Sequence, residues 1–167
     1  SKVRVTDDDG GIAIAVANIA VYDGVYVSLT GSDANSGLIT APKATPAAAV
    51  TLAQTLTLAA NRRVFIAQGT YASAADIVAG TVNISGGHDP VTWVRAAGQR
   101  SIVNFGPGAQ LQKDGSTSFA TYLIGLDARQ ATANDEPCVL LNGTNTLDVS
   151  DCRFQAAAGV TGANGPT

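Results

Sequence analysis

Short apolar runs recur along the chain at about twenty-residue spacing, each closed by glycine, asparagine or aspartate. The clearest are Val64-Phe65-Ile66, Val82-Asn83-Ile84, Ile102-Val103, Tyr122-Leu123-Ile124 and Leu147-Asp148-Val149. A period of this length predicts stacked repeats, in which each unit buries its apolar side only against its neighbours. One strand per repeat, with polar turn residues between, predicts an all-β coil of parallel strands. The intervals lengthen toward the C-terminus, so the corner loops grow in that direction.

Upstream of the repeats the pattern changes. Lys2 to Thr6 alternates polar and apolar residues and predicts a strand that ends at the turn signal Asp7-Asp8-Asp9-Gly10-Gly11. Ile12 to Val21 predicts a second strand, with its larger residues at 12, 14 and 16 on one face. After Val25-Tyr26-Val27 and a polar loop from Thr30 to Pro42, Thr45-Pro46 reads as an N-cap followed by a first-turn proline. Ala49, Leu52, Ala53, Leu56 and Ala60 then follow at helical spacing, which predicts one helix from Pro46 to about Ala60. Placed before the repeats, that helix can cover the open end of a stacked core. The chain therefore divides into N-terminal strands over 1–24, a capping strand, loop and helix over 25–62, coils over 63–158 and a glycine-rich tail over 159–167. Gly159, Gly162 and Gly165 stand three apart; they fit a corner loop or the start of a collagen-like tract. With no recognisable C-terminal cap, the expectation is a piece of a longer protein, or a subunit whose open end another chain covers.

Composition narrows the function classes. The 167 residues suit one domain; only 14% are charged, and the net charge is −3. The pI of about 4.8 and the absence of a basic cluster argue against a nucleic-acid partner. The most apolar stretch, Ile12 to Val21, is too short to cross a bilayer and is interrupted by Asn18. No basic region followed by a cleavage site opens the sequence, so any signal peptide lies outside it.

Two cysteines, Cys138 and Cys152, bracket a short strand-turn-strand segment. Either they form a disulfide, worth about 3 kcal/mol for a loop of that size, or they are two buried thiols. Calcium is the cofactor that the oxygen-rich turns admit, through Asp7, Asp8 and Asp9 and through Asp33 and Asn35; the same residues are ordinary turn formers. His88, the sole histidine, lies in Gly86-Gly87-His88-Asp89-Pro90 and reads as a turn residue, exposed or packed against Trp93.

The segment from Tyr26-Val27-Ser28 through Gly31, Asp33 and Gly37, then the helix, then Val64, Ile66 and Gly69-Thr70-Tyr71, resembles the opening of right-handed parallel β-helix proteins of the pectin-lyase-like superfamily. NISGGHDPVTW at 83–93 and SDCRF at 150–154 resemble further turns and rungs of extracellular bacterial members. The resemblance implies a right-handed, single-stranded parallel β-helix with one N-terminal capping helix, located outside the cell or at its surface. Its motifs are structural and do not identify an activity; the expected function is a non-catalytic structural or adhesive module, with a glycan or a second copy as partner. Polymerisation would run through the ends or by strand addition from Val3, Val5, Ile12, Ile14 and Val16. The alternative is the first part of a carbohydrate-active enzyme whose catalytic coils lie beyond residue 167. Carbohydrate-active members need carboxylates gathered on one face; Asp127 and Asp148, with Arg129 and Arg153, are the residues to inspect.

Overall fold

The computed structural model describes residues 2–6, 12–16, 22–113, 121–131, 137–142 and 147–157. Strands β1 (Lys2–Thr6) and β2 (Ile12–Val16) pair antiparallel with each other, Lys2 opposite Val16 and Thr6 opposite Ile12. Then come β3 (Val25–Val27) and helix α1 (Pro46–Thr55). The remaining strands arrive in sets: β4 (Arg63–Ala67), β5 (Gly69–Ser73) and β6 (Ile77–Val78); β7 (Asn83–His88), β8 (Ser101–Phe105) and β9 (Leu111–Lys113); β10 (Thr121–Ile124), β11 (Leu126–Gln130) and β12 (Val139–Leu141); and finally β13 (Leu147–Ser150) and β14 (Arg153–Gln155).

Each of the three full sets contributes one strand to each of three sheets, and the last pair adds one strand to each of the first two. The first sheet has the order β13-β10-β7-β4-β3, the second β14-β11-β8-β5 and the third β12-β9-β6, and every pairing within them is parallel. The protein is thus predominantly β, built on parallel sheets. The repeat holds up to three strands rather than the one that the apolar runs predict. The strands that escape notice are the two- and three-residue members of the third sheet and those joined to a neighbour by a single residue. Gln68 alone separates β4 from β5, and Gly125 alone separates β10 from β11. Gly125 has a φ of +65°, and a Cβ there would stand 2.6 Å from the Gly86 carbonyl oxygen and 2.6 Å from Arg95 Nε. At this joint, unlike at Gln68, only glycine fits.

Register aligns the inward positions into columns. Val25, Val64, Ile84, Leu123 and Val149 are successive partners in the first sheet; Tyr71, Val103, Ala128 and Phe154 are so in the second. Residues from all three sheets and from α1 meet in one buried cluster. Each Leu or Ile fully withdrawn from water there contributes about 1.5–3 kcal/mol. At the last strands the columns emerge: Val149 is 45% exposed and Phe154 42%, against 1% for Leu123.

Thr45 caps α1 as its sequence predicts, its hydroxyl accepting from the Ala48 amide at 3.2 Å, with Pro46 in the first turn. The helix buries Pro46, Ala49, Val50 and Ala53. It ends at Thr55 rather than near Ala60 because Leu56 turns to extended backbone; a short 3-10 turn over Ala59–Asn61 completes the segment. Gln54 Nε2 donates to the Val78 carbonyl at 2.7 Å and ties the helix to the third sheet. No helix among the described residues is long and apolar enough to cross a membrane.

Phe105 is 1% exposed within the core, so Phe105→Ala should cost about 3–5 kcal/mol in urea unfolding. Phe154→Ala, at the end of its column, should cost under about 1 kcal/mol.

Candidate functional site

Outward positions of the first sheet form two rows across successive strands. Tyr26, Phe65, Ser85, Ile124 and Ser150 are register partners along one. Along the other, Arg63 lies opposite Asn83, the Tyr122 amide donates to Asn83 Oδ1 at 3.0 Å, and Tyr122 lies opposite Asp148. Between the rows runs an open groove of about 300 Å³, bordered by Arg63, Phe65, Asn83, Ser85, Tyr122 and Ile124. Tyr122 is 47% exposed. The groove therefore has an aromatic and aliphatic floor, with a guanidinium, a carboxamide and two hydroxyls at its margins.

An aromatic belt continues from Phe65. Its ring centroid is 5.1 Å from that of Tyr26, which meets Trp93 edge-on at 4.8 Å; on the other side Phe65 meets the His88 ring edge-on at 5.4 Å. Burial, then the hydrogen bond to Asp23 and its charge, push the Tyr26 hydroxyl up to about 12. His88 is buried at the end of β7 and lies against Trp93, the second of its two expected settings, rather than exposed in a turn. Its Nδ1 lies 3.0 Å from the Trp93 carbonyl oxygen and therefore carries the proton; Nε2 accepts from the Ser85 hydroxyl at 2.9 Å. Burial lowers the His88 pKa, against the Trp93 carbonyl and together with the Arg95 charge.

The carboxylates singled out in the sequence do not meet. Asp127 is in the second sheet and Asp148 in the first. Asp127 is gripped by Arg129, with Nε at 2.9 Å, and that hydrogen bond holds its carboxyl below the usual range. Burial opposes the shift; the Arg129, Arg153 and Arg100 charges reinforce it. Arg153 donates to Gln155 Oε1. Asp151 is the more connected carboxylate: it pairs with Arg95 and Arg100 and accepts from the Gly98 amide.

Cys138 and Cys152 are free thiols, and the disulfide is not formed. Each sulfur has a different carbonyl partner: Cys138 donates to Gln155, while Cys152 lies against Leu123 and Ser150. Cys138 precedes β12 of the third sheet and Cys152 precedes β14 of the second. Of the calcium candidates, Asp7, Asp8 and Asp9 lie outside the described residues. Asp33 serves the loop: Oδ1 accepts from the Ala44 and Thr45 amides at 3.0 and 2.9 Å, and Oδ2 from the Thr45 hydroxyl at 2.9 Å. Asn35 Nδ2 donates to the Pro42 carbonyl. Among the described residues no three His, Cys, Asp or Glu side chains are grouped to hold a metal. Val3, Val5, Ile12, Ile14 and Val16 lie on β1 and β2, paired with each other's strand.

The groove was hidden in the sequence because its residues come from three repeats. The signal that could have found it is the outward position of each first-sheet strand, read in register.

Asp33→Ala removes three hydrogen bonds and the support of the helix cap, and should cost about 1–2 kcal/mol in denaturant unfolding. Calcium or a chelator should leave the wild-type melting temperature unchanged if Asp33 acts only in this structural role.

Compared with family models, with curated proteins and with solved structures, the chain matches none.

Proposed function

We propose that the three sheets are the faces of a right-handed parallel β-helix capped by α1, and that the chain is a non-catalytic adhesive or structural module working outside the cell. The order in which consecutive strands enter the three parallel sheets supports the coil. Right-handedness follows from the strong preference of parallel crossovers. The resemblance of its rungs to extracellular bacterial β-helix proteins supports the location.

The groove on the first sheet supports adhesion, and it is the observation that carries this reading. Successive strands are about 4.8 Å apart, close to one pyranose of an extended β-linked glycan. A saccharide lying across the strands sets its apolar ring faces on Phe65 and Tyr122, and its hydroxyls reach Arg63, Asn83 and Ser85. The Asp127 carboxylate, already held by Arg129, supports the non-catalytic reading. Self-association, where it occurs, uses the edges of β12, β13 and β14, which pair with no further strand among the described residues.

Titration with neutral and uronic oligosaccharides, followed by saturation-transfer NMR, should place ligand protons against Tyr122. Tyr122→Ala should weaken binding about tenfold through lost stacking. Absence of binding to all of them would remove the glycan; release of new reducing ends would remove the non-catalytic reading.

A further inference from the structure

We propose that residues 89–100 form an acid-released strap, held over the aromatic belt at neutral pH by Asp151, Asp89 and neutral His88. The frame does not need this loop. It joins the first sheet to the second, a passage that β4–β5 and β10–β11 each make through one residue. Its outer residues are exposed, Val91 by 84% and Val94 by 67%, so few apolar contacts retain it. Trp93 within it adopts a φ of +58°, a conformation that a bulky side chain keeps only when its surroundings enforce it.

Backbone bonds from the Asp89 amide to the Val94 carbonyl and from the Trp93 amide to the Asp89 carbonyl, with Arg95 Nε on the Gly86 carbonyl, shape the loop, and the side-chain contacts that tie it down are titratable. Asp151, between β13 and β14, pairs with Arg95, accepts from the Gly98 amide at 3.2 Å and from Arg100 Nη2 at 2.6 Å, and its backbone carbonyl accepts from Arg100 Nε at 2.9 Å. Gly125 leaves room above β11 for Arg95 to reach it. At the other end, Asp89 Oδ1 accepts from the Val91 and Thr92 amides at 2.9 and 2.8 Å, and His88 holds the Trp93 carbonyl. The charged groups facing this cluster are Arg95, Arg100, Asp89 and Asp151, with Asp127, Arg129 and Arg153 on the neighbouring strands and Asp23 beyond Tyr26.

All three titratable holders have the same sign. The Thr92 and Val91 amides lower the Asp89 carboxyl. Burial works to raise Asp151, but the Arg100 charge and the bonds from Gly98, Arg95 and Arg100 prevail and lower it. Burial lowers His88. The carboxylates' stabilisation is complete above the ordinary aspartate value of about 3.9 and is lost as pH falls through their lower folded values. That of His88 is complete above its ordinary value of about 6.5 and is lost as pH falls below it. Acid therefore removes the Asp151 charge from between Arg95 and Arg100, frees the Val91 and Thr92 amides from Asp89, and places a histidinium at His88 that Arg95 repels. Release lifts Trp93 from Tyr26, the ring adjoining Phe65 of the groove.

Trp93 is the sole tryptophan, so acrylamide quenching reports the strap directly. On acidification, quenching should rise below about pH 4 while far-UV circular dichroism keeps its β signal, and neutralisation should reverse it. Arg100→Gln leaves Asp151 with one arginine and should move the midpoint up by about one pH unit. Asp151→Asn should show raised quenching already at pH 7, and Asp148→Asn should behave as wild type. Loss of both signals at one midpoint in the wild type, or an unmoved midpoint in Arg100→Gln, would overturn the proposal. The Arg100 side chain is 37% exposed, so that variant tests the strap even if Asp151→Asn fails to fold.

Discussion

Parallel pairing in register is the constraint on which the rest depends. Because side chains alternate along a strand, a slip of one residue would turn every inward column outward. Val25, Val64, Ile84, Leu123 and Val149 share a column only because five strands, contributed by five separate stretches of chain, keep the same phase. Their burial fixes the phase, and the phase in turn fixes what appears outside. Arg63, Asn83 and Tyr122 are neighbours because Val64, Ile84 and Leu123 are.

The predominantly β character, the parallel pairing and the single helix after Thr45 are legible in the sequence. All three rest on local signals: recurrent branched apolar runs, glycine-rich turns, and Thr45-Pro46 ahead of a helical pattern. The threefold division of each repeat was not legible. Gln68 and Gly125 act as whole corners, and a single residue is too short to stand out as a turn. Ile102-Val103 accordingly looked equivalent to Val64-Phe65-Ile66, although one belongs to the second sheet and the other to the first. The helix is shorter than its apolar spacing predicts because Leu56 and Ala60 continue that spacing past the point where the backbone extends.

The site was less legible than the fold. Proximity in it arises between strands about twenty to forty residues apart in the chain, and its members, an arginine, an asparagine and a tyrosine, are unremarkable in isolation. Asp127 and Asp148 stand out in the sequence because carboxylates carry chemistry, but a one-dimensional pattern cannot place them in different sheets. Asp151 does not stand out, yet it is the residue through which the last corner grips a loop more than fifty positions upstream.

The two thiols carry a consequence for how the molecule comes apart. Burial raises the pKa of both Cys138 and Cys152, so at neutral pH each sulfur keeps its proton and points it at a carbonyl. Protonated sulfurs are poor nucleophiles, and Cys138 is buried as well. Alkylation of the buried Cys138 must then wait for β12 to peel away, and its rate becomes a clock for local opening there, separate from melting of the whole.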